Sequence, residues 1–236
     1  MGSEATRAEV RPAEPARALE VDAVLFDLDG TLADTAPDLG AALNRVRRER
    51  GLDPLPLETL RSSSSHGARG LLRTGLGVLP EHPDYVALRD AFLSHYESAL
   101  CVDTVLFSDV EALLDAIEAR SLKWGIVTNK ATRYTTPLIA RLGLDKRTTA
   151  VVCGDTTPHP KPHPAPLLAA AELLGVAPQR CVYVGDAERD VTAGIAAGMR
   201  TIIACYGYIE AHESPDSWPA DGRIHYPSAL LDWLPS

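Results

Sequence analysis

Five short runs, each almost wholly apolar and rich in β-branched or aromatic residues, constrain the fold of this chain more than any other feature. They are Ala23 to Phe26, Gly125 to Val127, Ala150 to Cys153, Cys181 to Val184 and Thr201 to Ala204. A strand with one face in water alternates polar and apolar residues. These runs do not, so both their faces must be covered, as in a parallel sheet. Helical spacing fills the segments around them. Val110, Leu113, Leu114 and Ile117 make one helical face. Further helices are predicted over 131–142, 166–174 and 191–197, closed by Gly143, Gly175 and Gly198. Strand and helix in alternation predict an α/β fold, a doubly wound parallel Rossmann-like sheet.

Between the first and second runs lies a long stretch, 34–107, without a strand pattern. Leu39, Ala42, Leu43 and Val46 form a helical stripe opened by Pro37 and stopped by Gly51, and Tyr85, Leu88, Phe92 and Tyr96 form another. The economical reading is a helical domain over 34–107, inserted into a core made of 21–33 and 108–236. The crossing segments near Ala33 to Thr35 and Leu106 to Ser108 are the expected hinges. Residues 1–20, rich in Ala, Glu, Arg and Pro with no apolar period, read as a flexible leader.

The 236 residues are 45% hydrophobic and 23% charged, an ordinary globular composition. A net charge of −9 argues against a general binder of nucleic acid or anionic membrane, which would present a basic face. No apolar stretch approaches the roughly 18 residues of a membrane span. Cys101, Cys153, Cys181 and Cys205 form no C-x-x-C pair and read as free thiols of a reducing compartment. The expectation is a cytoplasmic monomer or homodimer whose partner is a small molecule.

The first run ends in Phe26-Asp27-Leu28-Asp29-Gly30-Thr31-Leu32. Side chains two apart on a strand share a face, so Asp27 and Asp29 aim together beyond its carboxyl end. Two carboxylates roughly 4 Å apart repel by about 4 kcal/mol at an effective dielectric of about 20, so the pair calls for a cation or a shared proton. The second run finishes Val127-Thr128-Asn129-Lys130 and leads into a helix, placing a hydroxyl and backbone N–H groups where an anion is favoured. The fourth finishes Val184-Gly185-Asp186-Ala187-Glu188-Arg189-Asp190, bringing more carboxylates to the same edge. Lys161, between the prolines of 158–164, is stiffly placed to hold an ammonium over those acids. In open parallel sheets ligands bind at the carboxyl ends of strands, so these groups converge on one crevice.

Asp27-Leu-Asp-Gly-Thr-Leu, then Thr128-Asn129, then Lys161, then Gly185-Asp186 with Asp190, resembles the four ordered motifs of the haloacid dehalogenase superfamily, over Val21 to the C-terminal region. The 34–107 insertion resembles that superfamily's helical cap. The resemblance implies a Mg²⁺-dependent phosphatase working through an aspartyl-phosphate intermediate. Asp27 would be the nucleophile, and Asp29 the general acid that protonates the leaving alcohol and then activates water. Mg²⁺ would be held by the carboxylates of Asp27 and Asp186 and the carbonyl of Asp29, hard oxygens of the kind it prefers. Thr128 and the Asn129 backbone N–H would hold phosphoryl oxygens, Lys161 would neutralise developing charge, and Asp190 would orient Lys161 or a metal-bound water. The superfamily's dehalogenase branch lacks an acid two residues after its nucleophile, so Asp29 speaks for phosphate.

Ser65, His66 and Arg69 are the candidate substrate contacts of the cap. The segment His66 to Gly70, after Ser62 to Ser65, resembles the cap loop of the phosphoglycolate phosphatase group, in which Arg69 would pair a substrate carboxylate. Tyr206 to Ile209, with Trp218, Ala220 and Asp221, is similar to the N-acetylmuramic acid 6-phosphate phosphatases. The expected substrate is 2-phosphoglycolate, with N-acetylmuramic acid 6-phosphate the alternative and a non-catalytic phosphate-binding module a distant third.

Overall fold

A computed structural model describes residues 18–148 and 150–236 of the chain. In chain order the strands are β1 (Ala23–Phe26), β2 (Ala33–Asp34), β3 (Val105–Leu106), β4 (Lys123–Val127), β5 (Val151–Val152), β6 (Cys181–Gly185), β7 (Arg200–Ala204) and β8 (Gly222–Ile224). Six of them form one all-parallel sheet in the order β5-β4-β1-β6-β7-β8. β1 lies in the middle, with Phe26 in register between Ile126 and Val184, and its four side chains are almost wholly buried. From β1 the chain winds first to one side through β4 and β5, then to the other through β6, β7 and β8. A ligand crevice opens where such a winding reverses, beyond the carboxyl ends of the strands.

Helices cover both faces, which is why the strands read as unbroken apolar runs. α1 (Ala36–Glu49), α2 (Leu57–Arg61), α3 (Gly67–Leu76) and α4 (Tyr85–Ser98) lie between β2 and β3. α5 (Val110–Ala119), α6 (Thr132–Arg141), α7 (Ala165–Leu174) and α8 (Glu188–Ala196) connect the strands of the sheet. The stripes expected from the sequence are buried on Leu39, Ala42, Leu43 and Val46 of α1 and on Leu88, Phe92 and Tyr96 of α4, whereas Tyr85, at the first turn of α4, is only partly buried. Gly143, Gly175 and Gly198 take positive φ at the ends of their helices.

β2 and β3 overlap the two crossing segments named above, but their pairing and several other elements were not foreseen. β2 and β3 pair as a two-residue antiparallel ribbon, Ala33 opposite Leu106 and Asp34 opposite Val105, where the chain enters and leaves the helical insert. Both are too short to show a period. β8 adds a sixth parallel strand from only Gly222, Arg223 and Ile224. The third run is shorter than expected, since Val151 and Val152 alone among its described residues pair with β4. Ser62 to His66 form a 3₁₀ turn that runs directly into α3, a helix hidden by its glycines. Those glycines serve packing: a Cβ on Gly75 would lie 2.4 Å from the Leu43 side chain of α1.

The entry to α1 and the return to β3 are tied together at Asp38. Its buried carboxylate accepts the backbone N–H groups of Val102, Asp103 and Thr104 and the Thr104 hydroxyl, at 2.6–3.1 Å. Of the expected leader, residues 1–17 lie outside the described residues. Leu19 is anchored, its N–H donating to the Trp233 carbonyl at 2.8 Å.

Candidate active site

β1 delivers Asp27 to the crevice. Its N–H continues the ladder to the Val184 carbonyl at 2.9 Å, which holds the residue in strand register next to β6. Its Oδ1 accepts the Leu28 N–H at 2.8 Å and pairs with the Lys161 ammonium at 2.9 Å. Lys161 is 2% exposed, and its Nζ also meets Asp190 Oδ1 at 2.8 Å, the Val127 carbonyl at 2.8 Å and the Tyr183 hydroxyl at 2.7 Å. Burial opposes the ammonium charge, but Asp190 and Asp27 outweigh it and hold Lys161 above its ordinary pKa. Asn129 fixes the loop that carries this lysine. Its side-chain amide donates to the Lys161 carbonyl and accepts the Lys161 N–H, each at 2.9 Å.

Asp186 stands at the end of β6, wholly buried. Its Oδ2 accepts the Tyr208 N–H at 2.7 Å, while Oδ1 is buried with no hydrogen-bond partner among the described residues. Burial first, and then the charge of Asp27, push this carboxyl well above its usual range. Burial also lifts Asp27 to about 6 despite Lys161. Ligand oxygens of Asp27, Asp186 and Asp190 lie within 4.8 Å of one another. Asp190 has both oxygens engaged, Oδ1 by Lys161 and Oδ2 by the Ala187 N–H at 3.0 Å, whereas Asp186 has one to spare. A cluster of hard oxygens, short of positive charge and holding an orphaned acceptor, fits a small divalent cation. The approach is close: a Cβ on Gly30, whose φ is +86°, would sit 2.1 Å from Asp186 Oδ2.

The Asp29 carboxylate lies outside that cluster. The Thr35 hydroxyl donates to its Oδ1 at 2.6 Å, and the Lys130 ammonium reaches the same oxygen at 3.0 Å. Lys130 also donates to the Tyr96 hydroxyl of α4 at 3.0 Å and lies over the Tyr96 ring, 4.6 Å from its centroid. Burial disfavours its charge, yet Asp29 and Tyr96 keep Lys130 above its ordinary pKa. The repulsion expected between Asp27 and Asp29 is thus met by two separate lysines.

Asp27 and Asp29 line a cavity of about 440 Å³ between the strand ends and the inserted helices. Thr128, Asn129 and Lys130 line it from the end of β4, and Thr128 is buried with its Oγ1 accepting the Lys130 N–H at 3.1 Å. Leu39, Phe92, Leu93, Tyr96 and Tyr134 form its apolar wall. Ser65, His66 and Arg69 border the same space from the insert, Arg69 being exposed.

The haloacid dehalogenase-like hydrolase family matches residues 24–204. The chain belongs to this family. The hydrolase is 39% identical over 216 residues to the N-acetylmuramic acid 6-phosphate phosphatase of Pseudomonas aeruginosa, covering 92% of this chain and 96% of that protein. It is 43% identical over 214 residues to the phosphoglycolate phosphatase of Xanthomonas campestris pv. campestris, covering 91% and 96%. A crystal structure of a predicted phosphoglycolate phosphatase from Haemophilus somnus 129pt superposes with a TM-score of 0.78 at 25% identity, covering 90% of this chain and 97% of that one. The hydrolase is a phosphatase.

Four residues in or beside the hydrolase's site were given no individual role by sequence reasoning. Lys130 follows Asn129 directly, and Arg189 sits inside the Asp186 to Asp190 run, so both were in plain view without an assigned partner. Arg189 lines the cavity and donates to the carbonyl and hydroxyl of Ser65 at 2.8 and 2.9 Å. Tyr208 donates its hydroxyl to Asp34 Oδ1 at 2.7 Å and accepts the Ala36 N–H at 2.9 Å, joining the Asp186 loop to the start of the insert. Glu210 accepts hydrogen bonds from Arg73 and from Ser63 of the insert.

Proposed function

We propose that the hydrolase cleaves phosphomonoesters in two displacements at phosphorus, with Asp27 as nucleophile. The observation that carries this reading is the Asp27 carboxylate at the carboxyl end of β1, one oxygen held by Lys161 and Leu28, in a cavity that Asp29 shares. Oδ2 of Asp27 has no hydrogen bond among the described residues and is the oxygen for attack. Splitting a hard hydrolysis into two steps is what a carboxylate nucleophile offers. Asp29 gives a proton to the departing alcohol and takes one from water in the second step. Its Oδ1 is held by Thr35 and Lys130, which leaves Oδ2 for the proton. Thr128 and the backbone N–H of Asn129 hold phosphoryl oxygens. Lys161 balances charge between nucleophile and phosphate, and Asp190 keeps its ammonium in place.

The carboxylates of Asp27 and Asp186 and the carbonyl of Asp29 would hold Mg²⁺, which when bound supplies positive charge to the phosphoryl oxygens. The insert, 34–107, acts as a cap over a core of 21–33 and 108–236, with β2 and β3 as its hinge. The free thiols suit a reducing cytoplasm.

The substrate is a small phosphomonoester, and 2-phosphoglycolate is the first reading, supported by the 43% identity to the Xanthomonas campestris phosphatase of that name. One observation favours the second, N-acetylmuramic acid 6-phosphate. The cavity, about 440 Å³ with an aromatic and apolar wall, has room for a sugar ring. Comparing kcat/KM for the two compounds, with Mg²⁺ and with excess EDTA, tests both levels. A preference of about a hundredfold for either, roughly 2.7 kcal/mol, decides the substrate. Turnover undiminished by EDTA overturns the metal assignment.

A further inference from the structure

The cavity is lined by Lys130, Arg69 and Arg189, and these cations are differently engaged. Lys130 is spent on the Asp29 carboxylate. Arg69 is exposed, with no hydrogen-bond or ion-pair partner among the described residues, so water screens its charge. Arg189 is partly buried and reaches from the start of α8 to the insert. There its Nη2 donates to two neutral oxygens, the Ser65 carbonyl and hydroxyl. No carboxylate lies within ion-pair distance of it among the described residues, and Asp190, Asp27 and Asp186 act on its charge only from further off. Its Nε and Nη1 donors are likewise without partners there, in the fixed planar geometry that matches a carboxylate. His66 lines the same wall. Burial, reinforced by the Arg189 charge, lowers its pKa, so at neutral pH it supplies a neutral ring rather than a competing cation.

We propose that Arg189 receives the carboxylate of a carboxylate-bearing phosphomonoester, and that Ser65, by holding the guanidinium, makes this reception depend on docking of the insert over the core. The inference rests on the phosphatase reading above and deepens it, because 2-phosphoglycolate and N-acetylmuramic acid 6-phosphate share a phosphomonoester and a carboxylate. It separates the two arginines that border the cavity. Arg189 reads the carboxylate, and Arg69 at the rim adds a weaker attraction.

Matched pairs test it: 2-phosphoglycolate against ethyl phosphate, and N-acetylmuramic acid 6-phosphate against N-acetylglucosamine 6-phosphate, the second member of each lacking the carboxylate. kcat/KM is measured for the wild type, Arg189→Gln and Arg189→Lys. Kd for the same compounds is measured by calorimetry in an Asp27→Asn background, where turnover does not enter. The Gln variant keeps an amide donor for Ser65 while removing the charge. The wild type is expected to favour the carboxylate member of at least one pair by more than about tenfold. Arg189→Gln should lose about ten- to 150-fold more on that member than on its neutral twin, in kcat/KM and in affinity alike, any loss common to both reporting the Arg189 charge near Asp27 and Asp186. Arg189→Lys should recover part of the loss. Equal losses on both members, or a wild-type preference that survives Arg189→Gln, overturn the assignment while leaving the substrate reading intact. A wild type with no preference in either pair overturns both.

Discussion

One nitrogen of the Arg73 guanidinium, Nη2, donates to both carboxylate oxygens of Glu210, at 2.5 and 2.7 Å, fastening α3 of the insert to the loop after β7. Glu210 is nearly buried, and the Arg73 side chain is 44% exposed. Water on the arginine side limits the pair to about 1 kcal/mol, or roughly fivefold in the docked population. Arg73→Ala should therefore speed hydrogen exchange of the α3 amides by about that factor while sparing β1 and β6. Exchange unchanged in α3 would show that the pair does not hold the insert down. The pH dependence has a definite sign. Burial raises Glu210, but Arg73 and Ser63 outweigh it and the carboxyl sits below its ordinary range. Its contribution is present above the unfolded value of about 4.3 and is lost as pH falls below it.

Metal addition should stabilise the protein, and more so at higher pH. Burial lifts Asp27 to about 6 and lifts Asp186 as well. In the metal-free protein the folded state then binds more protons than the unfolded one, and the contribution of Asp27 to stability falls as pH rises from about 4 to about 6. Mg²⁺ competes with those protons, so its increment in Tm should grow across the same window and be largest above it. Thermal melts with and without Mg²⁺ between pH 5 and pH 8 check this. An increment independent of pH, or one surviving Asp186→Asn at full size, contradicts the assigned ligands.

Lys161 neutralises two buried acids at once, and removing it leaves both uncompensated. Lys161→Ala should cost about 3–5 kcal/mol in chemical denaturation, the scale for breaking a buried ion pair from one side. A loss below about 1 kcal/mol would mean that the carboxylates are neutral in the wild type.

Asp29→Asn should retain binding and lose about 10²–10⁴-fold in kcat, the worth of general acid–base help. A leaving group that needs no proton should partly escape the penalty. The defect should thus be smaller for p-nitrophenyl phosphate than for an alkyl phosphate. Equal defects on both would move the proton transfer to another group.

The sheet was legible because strands covered on both faces leave unbroken apolar runs, and the chemistry because its carboxylates, hydroxyl and lysine follow those runs directly. β2, β3 and β8, with two or three residues each, carry no period from which to read them. α3 was obscured by glycines whose reason is a tertiary contact with Leu43. The long cations were legible as residues but not as partners. Nothing local distinguishes Lys130, which meets Asp29, from Arg73, which meets Glu210, or from Arg189, which meets neutral oxygens. Those pairings join positions up to 137 residues apart and exist only in the folded chain.

Attack of the Asp27 carboxylate on phosphorus leaves a covalent phosphoryl group on the protein between the two displacements. Acid quenching during turnover of 2-phosphoglycolate, followed by mass spectrometry of the peptide that contains Asp27, tests it most directly. The predicted result is a transient, acid-stable gain of one phosphoryl group on Asp27, absent in Asp27→Asn, a variant that should also show no turnover. A phosphoryl group on another residue, or turnover retained by Asp27→Asn, would contradict it.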